Sequence, residues 1–314
     1  MLTLKSKATK FTVVLCFAVL LASLAVSRSA NSVQPQALSR PKIYSLAFVQ
    51  LRATDLARSK DFYGKSLGLK PGMDDCKGVS APCFSVNPYQ RVELVPRSSS
   101  DPRSFLQSVG FNINDVSLMR AYLASKDIES SEITRSANGL RFIRVEDPEK
   151  NNIIFAELSG SDSQVNGLHQ VSDRMIHSGF VVSDRSAMDH FYKDILGFRP
   201  YWHGGMKDDE TSWVSLQVPD GTDWIEYMLN IPANADQHLL GVMNHIALGV
   251  PDIHAAQKQL LSNGMTLQEE PKMGRDGKWQ LNLYDPDQTR VEFMEFTPVE
   301  KPCCSEYTGP HPKP

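Results

Sequence analysis

The 314-residue sequence lacks a strong excess of charge of either sign and lacks low-complexity segments. Lys and Arg together number 33 against 36 Asp and Glu, which gives a formal net charge of −3. Because no basic stripe stands out either, the sequence gives no support for nucleic-acid binding. Hydrophobic residues make up 41% and charged residues 22%, as in a soluble globular protein. The length is enough for roughly two domains of ordinary size.

Cysteine is also scarce, with five residues in the whole chain. Cys76 and Cys83 stand seven residues apart in a turn-rich stretch, and the adjacent Cys303 and Cys304 lie in a proline-rich tail at 299–314 that we expect to be flexible. A zinc site would need more soft ligands at tighter spacing. We therefore expect these four residues to form disulfides or to be structural thiols in an oxidising compartment.

One long uncharged run stands at residues 11–26, and it is short for a membrane span. Lys5, Lys7 and Lys10 precede it and small residues follow it, which is the order of a secretory signal. We therefore expect residues 1–30 to be a signal peptide and the chain to be exported, either periplasmic or secreted. The alternative is an uncleaved N-terminal anchor, which would be the only contact with a membrane.

The chain contains a long internal repeat. "TDLARSKDFYGKSLGLKP" (54–71) and "SDRSAMDHFYKDILGFRP" (183–200) align without a gap at an offset of 129 residues. A repeat of this length indicates two copies of one domain rather than a solenoid. The polar stretch at 160–173 marks the junction, so we expect domains at 43–160 and 174–298.

Each domain divides again into two similar modules. Every module has an Asp between an alternating stretch and an amphipathic one, namely Asp55, Asp115, Asp184 and Asp252. Asp is a favoured residue immediately before a helix, so each marks a strand followed by a helix. Shorter alternating runs come next, which gives a strand, a helix and about three strands, four times over. The predicted fold class is α+β, with two modules per domain curving into one cup-shaped sheet.

The second domain repeats polar residues as well as hydrophobic ones. His177 in "HSGFVVSD" and His245 in "HIALGVPD" each stand seven residues before the capping Asp. Glu226 in "IEYM" and Glu292 in "VEFM" follow these histidines by 49 and 47 residues. If the two modules pair about a pseudo-twofold axis, the four side chains meet at one point. Two imidazoles and two carboxylates suit one divalent transition metal ion, such as Zn, Ni, Co, Mn or Fe(II).

The first domain is a natural control, because it keeps the hydrophobic pattern without this polar set. Phe48 and Ser108 stand where the histidines would be, and Ile154 stands in place of Glu292. Glu93, which corresponds to Glu226, is the one match. We therefore expect a single metal site, in the C-terminal domain. Three roles remain open for the degenerate first domain. It could bind an organic ligand, complete an interface or support the second domain.

The motifs "FY…LGF", "HIALGVPDI" and "DPDQTRVEF" resemble the hallmarks of the vicinal oxygen chelate superfamily. This superfamily includes glyoxalase I, methylmalonyl-CoA epimerase, extradiol dioxygenases, and fosfomycin and bleomycin resistance proteins. The resemblance covers about 43–298 and implies two tandem domains of paired βαβββ modules around a metal-lined cup. It does not fix the reaction, because the superfamily hosts several chemistries on one frame.

A His-Glu-His-Glu set resembles that of glyoxalase I and the epimerases. The resemblance implies a lyase or isomerase in which the metal polarises a carbonyl oxygen and stabilises an enediolate. By position, Glu292 is the expected catalytic base and Glu226 is its counterpart across the metal. Glutathione, the usual cosubstrate of glyoxalase I, is not expected for an exported protein. Its carboxylates would also need basic residues at the site, and we interpret Arg275 and Arg290 as surface charges.

Two alternatives remain open. Extradiol dioxygenases need only His177, His245 and Glu292 to hold Fe(II), together with an extra His and Tyr as proton handlers. The sequence offers His203, His238 and Tyr227 for these roles without placing them. The second alternative is a non-catalytic protein that binds small molecules, although relatives of that kind usually lack the metal set. An enzyme with a small-molecule substrate is therefore expected, and a homodimer is left open.

Overall fold

Two eight-stranded sheets, one in each predicted domain, form the framework of the protein. The computed structural model describes residues 3, 38–72, 82–136, 139–157 and 169–314. The predicted signal peptide therefore lies outside the described residues. Within the described part of the chain, no helix has the length and apolar character needed to cross a bilayer.

The first domain follows the predicted order of one strand, one helix and three strands, given twice. Its strands are β1 (Ile43–Ala53), β2 (Lys70–Pro71), β3 (Cys83–Asn87), β4 (Gln90–Pro96), β5 (Leu106–Ile113), β6 (Thr134–Arg135), β7 (Arg141–Glu146) and β8 (Asn152–Glu157). Its helices are α1 (Leu56–Asp61), which continues as a π-helical turn over Phe62–Ser66, and α2 (Val116–Ala124).

The second domain repeats this order and adds one short helix between its modules. Its strands are β9 (Arg174–Val181), β10 (Arg199–Gly204), β11 (Trp213–Gln217), β12 (Trp224–Met228), β13 (His245–Val250), β14 (Lys272–Met273), β15 (Trp279–Tyr284) and β16 (Arg290–Glu295). Its helices are α3 (Arg185–Asp189), continued by a π-helical turn over His190–Ile195, then α4 (Gln237–Met243) and α5 (Ile253–Ser262). The α+β fold of two tandem domains is confirmed.

Each predicted capping Asp accepts hydrogen bonds from backbone N–H groups at the start of its helix. Asp55 caps α1 and Asp115 caps α2, while Asp184 caps α3 and Asp252 caps α5. A carboxylate at this position satisfies amide groups that have no partner inside the helix. The start of four helices is therefore predictable from single residues.

The strand order in each sheet brings the opening strands of the two modules together. In the second domain the order is β10-β11-β12-β9-β13-β16-β15-β14, and the first domain has the equivalent order. At the centre β9 and β13 run antiparallel, and each lies parallel to the closing strand of its own module, β12 or β16. This is the pseudo-twofold pairing that the sequence predicts, and it sets the four site-bearing strands side by side.

The two domains share one hydrophobic core, with buried side chains from both in the same cluster. Reciprocal hydrogen bonds support this contact. The hydroxyl of Tyr63 donates to Asp285 of the second domain over 3.1 Å. The hydroxyl of Tyr192 donates to Asp147 of the first domain over the same distance. Residues 38–314 accordingly form one compact unit.

Apolar side chains replace part of the polar set in the first domain. The strand register places Phe48 at the position that His177 has in the second domain, and Phe48 packs in a cluster with Ile154. Glu93 is fully buried and its carboxylate pairs with Arg91 at 2.7 Å. The one matching carboxylate is therefore paired with an arginine, and the positions of one histidine and of the second carboxylate are apolar.

Residues 299–314, which the sequence predicts to be a flexible tail, are docked onto the second domain. Thr308 N donates to Tyr201 O over 3.0 Å, and Gln217 Nε2 donates to Pro310 O over 2.8 Å. Many of the bonds use backbone groups of the tail. Backbone groups carry no residue-specific signal, so the sequence pattern gives no indication of this docking.

The cysteines are joined in disulfides where the structure describes them. Cys303 and Cys304 are bonded to each other although they are neighbours in the chain. Cys83 is also disulfide-bonded. Cys76, which like Cys83 is expected from the sequence to form a disulfide or to be a structural thiol, lies outside the described residues.

Candidate metal centre

Four side chains from four strands converge at the floor of a cavity in the second domain. His177 lies on β9 and Glu226 on β12, while His245 lies on β13 and Glu292 on β16. Both histidines are fully buried, whereas the two carboxylates also line the cavity. These are the four residues that the sequence predicts as metal ligands, and the structure brings all four together.

The donor atoms of His177, Glu226 and His245 all lie within 4.8 Å of one another, as expected around one divalent cation, and Glu292 approaches both histidines. The two histidine Nε2 atoms are 3.0 Å apart. Glu226 Oε2 lies 3.4 Å from His245 Nε2 and 3.9 Å from His177 Nε2. Glu292 Oε2 lies 3.5 Å from His177 Nε2 and 3.8 Å from His245 Nε2. Ligand atoms bonded to one ion at about 2.1 Å are separated by about 3.0 Å at right angles and about 3.4 Å at tetrahedral angles.

Burial and neighbouring groups shift the pKa values of three donors, His245, Glu292 and Glu226, toward the protonation states that a metal needs. Burial, assisted by Arg290, lowers the pKa of His245 to about 4, so its ring is neutral at pH 7. Burial alone would raise the pKa of Glu292, but Arg290 and the two histidines outweigh it and lower the pKa to about 2. Burial opposes ionisation of Glu226 too, yet its histidine neighbours lower its pKa. Metals bind neutral imidazole and ionised carboxylate, so the donor set fits.

Contacts behind the histidines orient their rings. His245 Nδ1 lies 3.1 Å from the carbonyl oxygen of Met243, so that nitrogen donates its proton there and Nε2 faces the other donors. The ring of His177 packs on Trp224, with ring centroids 4.7 Å apart. Gly179 leaves room for the imidazole of His245, because a Cβ at that position would lie 2.1 Å from its Cε1. A larger residue at 179 would displace a ligand.

Arg290 is part of the centre, and the prediction that it is a surface charge is wrong. Its Nη2 lies 2.8 Å from His245 Nε2 and 4.0 Å from Glu292 Oε2, and it lines the cavity. The sequence does hold a signal for this position. In a strand, side chains two residues apart share a face, so Arg290 lies on the same face as Glu292.

The cavity above the four donors has a volume of about 360 Å³. Its aromatic lining residues are Tyr201, Trp202, Trp213, Trp224 and Tyr307. Arg275, predicted as a surface charge, stands at its rim and pairs with Asp208. A cavity of this size with aromatic walls and a few charged groups is typical of a site for a small molecule.

A buried ammonium group lies behind the cavity wall. Lys278 is fully buried, and its Nζ lies 4.8 Å from the ring centroid of Trp224 and 5.2 Å from that of Tyr307. Burial lowers the pKa of Lys278 to about 8 and raises the pKa of Asp276 to about 6. The composition of "GRDGK" (274–278) is typical of a hairpin turn or a flexible lid. It is the loop between β14 and β15, and Asp276 and Lys278 are buried in it next to Tyr307 of the tail, whereas Arg275 is exposed.

The three residues considered as proton handlers lie away from the cavity lining. Tyr227 points to the opposite side of β12 from the site and packs against Tyr192, with ring centroids 6.1 Å apart. His203 is exposed on β10, and His238 packs against Tyr284 beside α4. None of these three residues lines the cavity.

The chain also has recognisable relatives. A family model described as the Glyoxalase/Bleomycin resistance protein/Dioxygenase superfamily matches residues 45–155 and 174–293. By contrast, no curated protein matches the chain.

Solved structures of related architecture include dioxygenases and a glyoxalase. A variant of homoprotocatechuate 2,3-dioxygenase from Brevibacterium fuscum is 19% identical, with a TM-score of 0.64 over 88% of this chain and 75% of that one. The 2,3-dioxygenase LapB from Pseudomonas sp. KL28 is 16% identical, with a TM-score of 0.63 over 88% and 96%. The Mn(II)-bound glyoxalase from Novosphingobium aromaticivorans is 14% identical, with a TM-score of 0.63 over 85% and 86%.

At these identities the similar structures establish the fold and leave the reaction open. The family match is broader, because it covers both domains and most of the chain. With the fold and the motifs in agreement with it, the chain belongs to the glyoxalase/bleomycin resistance protein/dioxygenase superfamily, the vicinal oxygen chelate proteins.

Proposed function

We propose that the protein is a metal-dependent lyase or isomerase of the glyoxalase or epimerase type. Such an enzyme removes a proton from the carbon next to a carbonyl group of its substrate and returns a proton to the substrate. The observation that carries the proposal is the second carboxylate. Glu226 lies as close to the histidine pair as Glu292 does. An Fe(II) oxygenase centre needs two histidines and only one carboxylate. A second carboxylate on the same cavity suits chemistry in which protons are taken and returned.

The proposed ligands are His177, Glu226, His245 and Glu292. A divalent metal held there would supply a Lewis acid that polarises the carbonyl oxygen of the substrate. Glu292, whose carboxylate faces the cavity, is the proposed base that takes the proton from the neighbouring carbon. Glu226, with Ser215 Oγ 3.4 Å from its Oε1, is the counterpart on the other side of the histidines.

Arg290 and the aromatic walls would support this proton transfer. The Arg290 guanidinium brings a fixed positive charge next to the donors, and such a charge stabilises negative charge that develops on a substrate oxygen. The aromatic side chains limit the access of water to the reacting carbon. Both effects require a substrate small enough for a cavity of about 360 Å³.

Proton transfer can be tested before the natural substrate is known. We expect protein loaded with Zn, Ni, Co or Mn to introduce deuterium from D₂O next to the carbonyl group of at least one compound in a panel of arylglyoxal–thiol adducts and α-hydroxy ketones. NMR would follow the exchange. The exposed Glu300→Gln variant should match the wild type, and Glu292→Gln should lose the exchange. Equal exchange in wild type and Glu292→Gln for all compounds and metals would contradict the proposal.

Extradiol ring cleavage is the second candidate, because five aromatic side chains around the cavity fit a flat catechol ring. In that case His177, His245 and Glu292 would hold Fe(II), and Glu226 would not be a ligand. Oxygen uptake by Fe(II)-loaded protein with a panel of catechols is the test. Uptake that persists in Glu226→Gln would support ring cleavage and reject the lyase or isomerase. A bound metal with neither activity would favour a binding protein.

A further inference from the structure

The C-terminal strap, defined as residues 299–314, crosses the opening between the two edge strands of the second sheet. These edge strands are β10 and β14. On the β14 side, Val299 N and Glu300 N donate to Gly277 O over 2.9 and 3.1 Å. Gly277 lies in the hairpin loop that follows β14. The strap also lies beyond residue 293, where the family match ends.

The strap is bound to β10 as well. His203 N donates to Ser305 Oγ over 2.9 Å, and Ser305 Oγ donates to His203 O over 3.0 Å. Thr308 N donates to Tyr201 O over 3.0 Å. Between the two attachments, Trp202 Nε1 donates to the carbonyl oxygen of Cys303 over 3.2 Å. One segment therefore binds both edges and closes the curled sheet over the cavity.

Tyr307 is the strap residue that reaches the cavity lining. Its ring packs against Tyr201, with ring centroids 4.8 Å apart. Its hydroxyl lies 3.0 Å from both the carbonyl oxygen and Oδ2 of Asp276. Lys278 Nζ lies 5.2 Å from the ring centroid. Neighbours on several sides fix the ring, so it presents a preformed wall to whatever occupies the cavity.

We propose that Tyr307 is a specificity-determining residue, which the strap places as a wall that limits the size of the substrate group lying above the metal centre. The inference rests on the proposed function only in taking this cavity as the substrate site. Replacing Tyr307 by Ala would remove the ring and enlarge the cavity on the strap side. Replacing it by Phe would keep the wall and lose only the hydrogen bond to Asp276.

Ligand binding tests this wall without turnover. The probes are catechol, 4-methylcatechol and 4-tert-butylcatechol, measured by calorimetry on zinc-loaded protein, because zinc does not support oxygen chemistry. In the wild type we expect Kd to rise with the size of the substituent. In Tyr307→Ala the ratio of the Kd for 4-tert-butylcatechol to that for catechol should fall by about 10-fold or more. Tyr307→Phe should stay close to the wild type.

Two controls keep this test decisive. Tyr89→Ala removes a half-exposed tyrosine of the first domain and should leave the ratio unchanged. Tyr307→Leu, which keeps part of the volume, should give an intermediate ratio and replaces the Ala variant if that variant does not fold. A folded, zinc-loaded Ala or Leu variant with the wild-type ratio would overturn the proposal. If the ratio of Kd values falls as predicted but no sample exchanges deuterium in the NMR experiment, the proposed function is contradicted and the proposed role of Tyr307 is supported.

Discussion

Replacing Glu292 by Gln is expected to lower kcat/KM for the proton-transfer substrate by about 10²–10⁴-fold. Gln keeps the size of the side chain, but its amide cannot accept a proton from carbon. Glu292 is only 3% exposed, and its Oε2 lies 3.5 Å from His177 Nε2. A water molecule therefore has little room to take the place of the Glu292 carboxylate in the variant. Steady-state kinetics with the metal content measured in the same sample is the appropriate assay.

That metal measurement separates the two proposed roles of Glu292, metal ligand and base. A fully metal-loaded Glu292→Gln variant with at least one tenth of wild-type kcat/KM would contradict its role as the base, since the loss would then be smaller than about 10-fold. Glu300→Gln, which changes an exposed side chain of the strap that does not line the cavity, should change kcat/KM by less than about 2-fold, since surface substitutions away from a site have small effects.

Replacing Asp223 by Ala is expected to lower the free energy of unfolding by about 2–3 kcal/mol, because two hydrogen-bond donors lose a buried acceptor while the partly exposed Arg174 keeps access to water. The Asp223 carboxylate is fully buried and lies 2.8 Å from Arg174 Nη2. It also accepts hydrogen bonds from Leu46 N and Gln90 Nε2 of the first domain, both over 3.0 Å. With Ala at this position, the Arg174 guanidinium, Leu46 N and Gln90 Nε2 would lose this acceptor, and the last two are contacts between the domains.

Urea-induced unfolding followed by circular dichroism measures this effect. Asp209→Ala, which removes an exposed carboxylate, should change the free energy of unfolding by less than about 0.5 kcal/mol. Asp223 directly precedes β12, so Asp223→Ala should also weaken metal binding through Glu226. A loss of stability below about 1 kcal/mol would show that this carboxylate does not hold the two domains together.

The metal centre is predictable from the sequence because its residues are duplicated in register. A His seven residues before a capping Asp occurs in both modules, and a Glu closes each module. A single His on a strand carries little information, but an internal duplication excludes most accidental arrangements. The first domain adds a control, since Phe48 keeps the strand pattern while the imidazole is missing.

The surroundings of the centre depend on contacts that no local pattern encodes. Arg290 lies at a position that alternation assigns to the site face, yet its charge suggests the surface. Only the structure shows that its guanidinium lies in the cavity, next to Glu292. Lys278 lies in a loop with the composition of an exposed turn. Its burial requires the strap, which returns from the end of the chain. Tyr307 joins the cavity for the same reason.

The most direct test of the proposed centre is metal stoichiometry. Wild-type protein equilibrated with Zn or Mn and then freed of excess metal is expected to retain one ion per chain. Replacing both His177 and His245 by Ala should abolish this retention. Ser108→Ala, at the corresponding position of the first domain, should still retain one ion. Retention of an ion by the double variant, or none by the wild type with any divalent transition metal, would contradict a centre built from these four side chains.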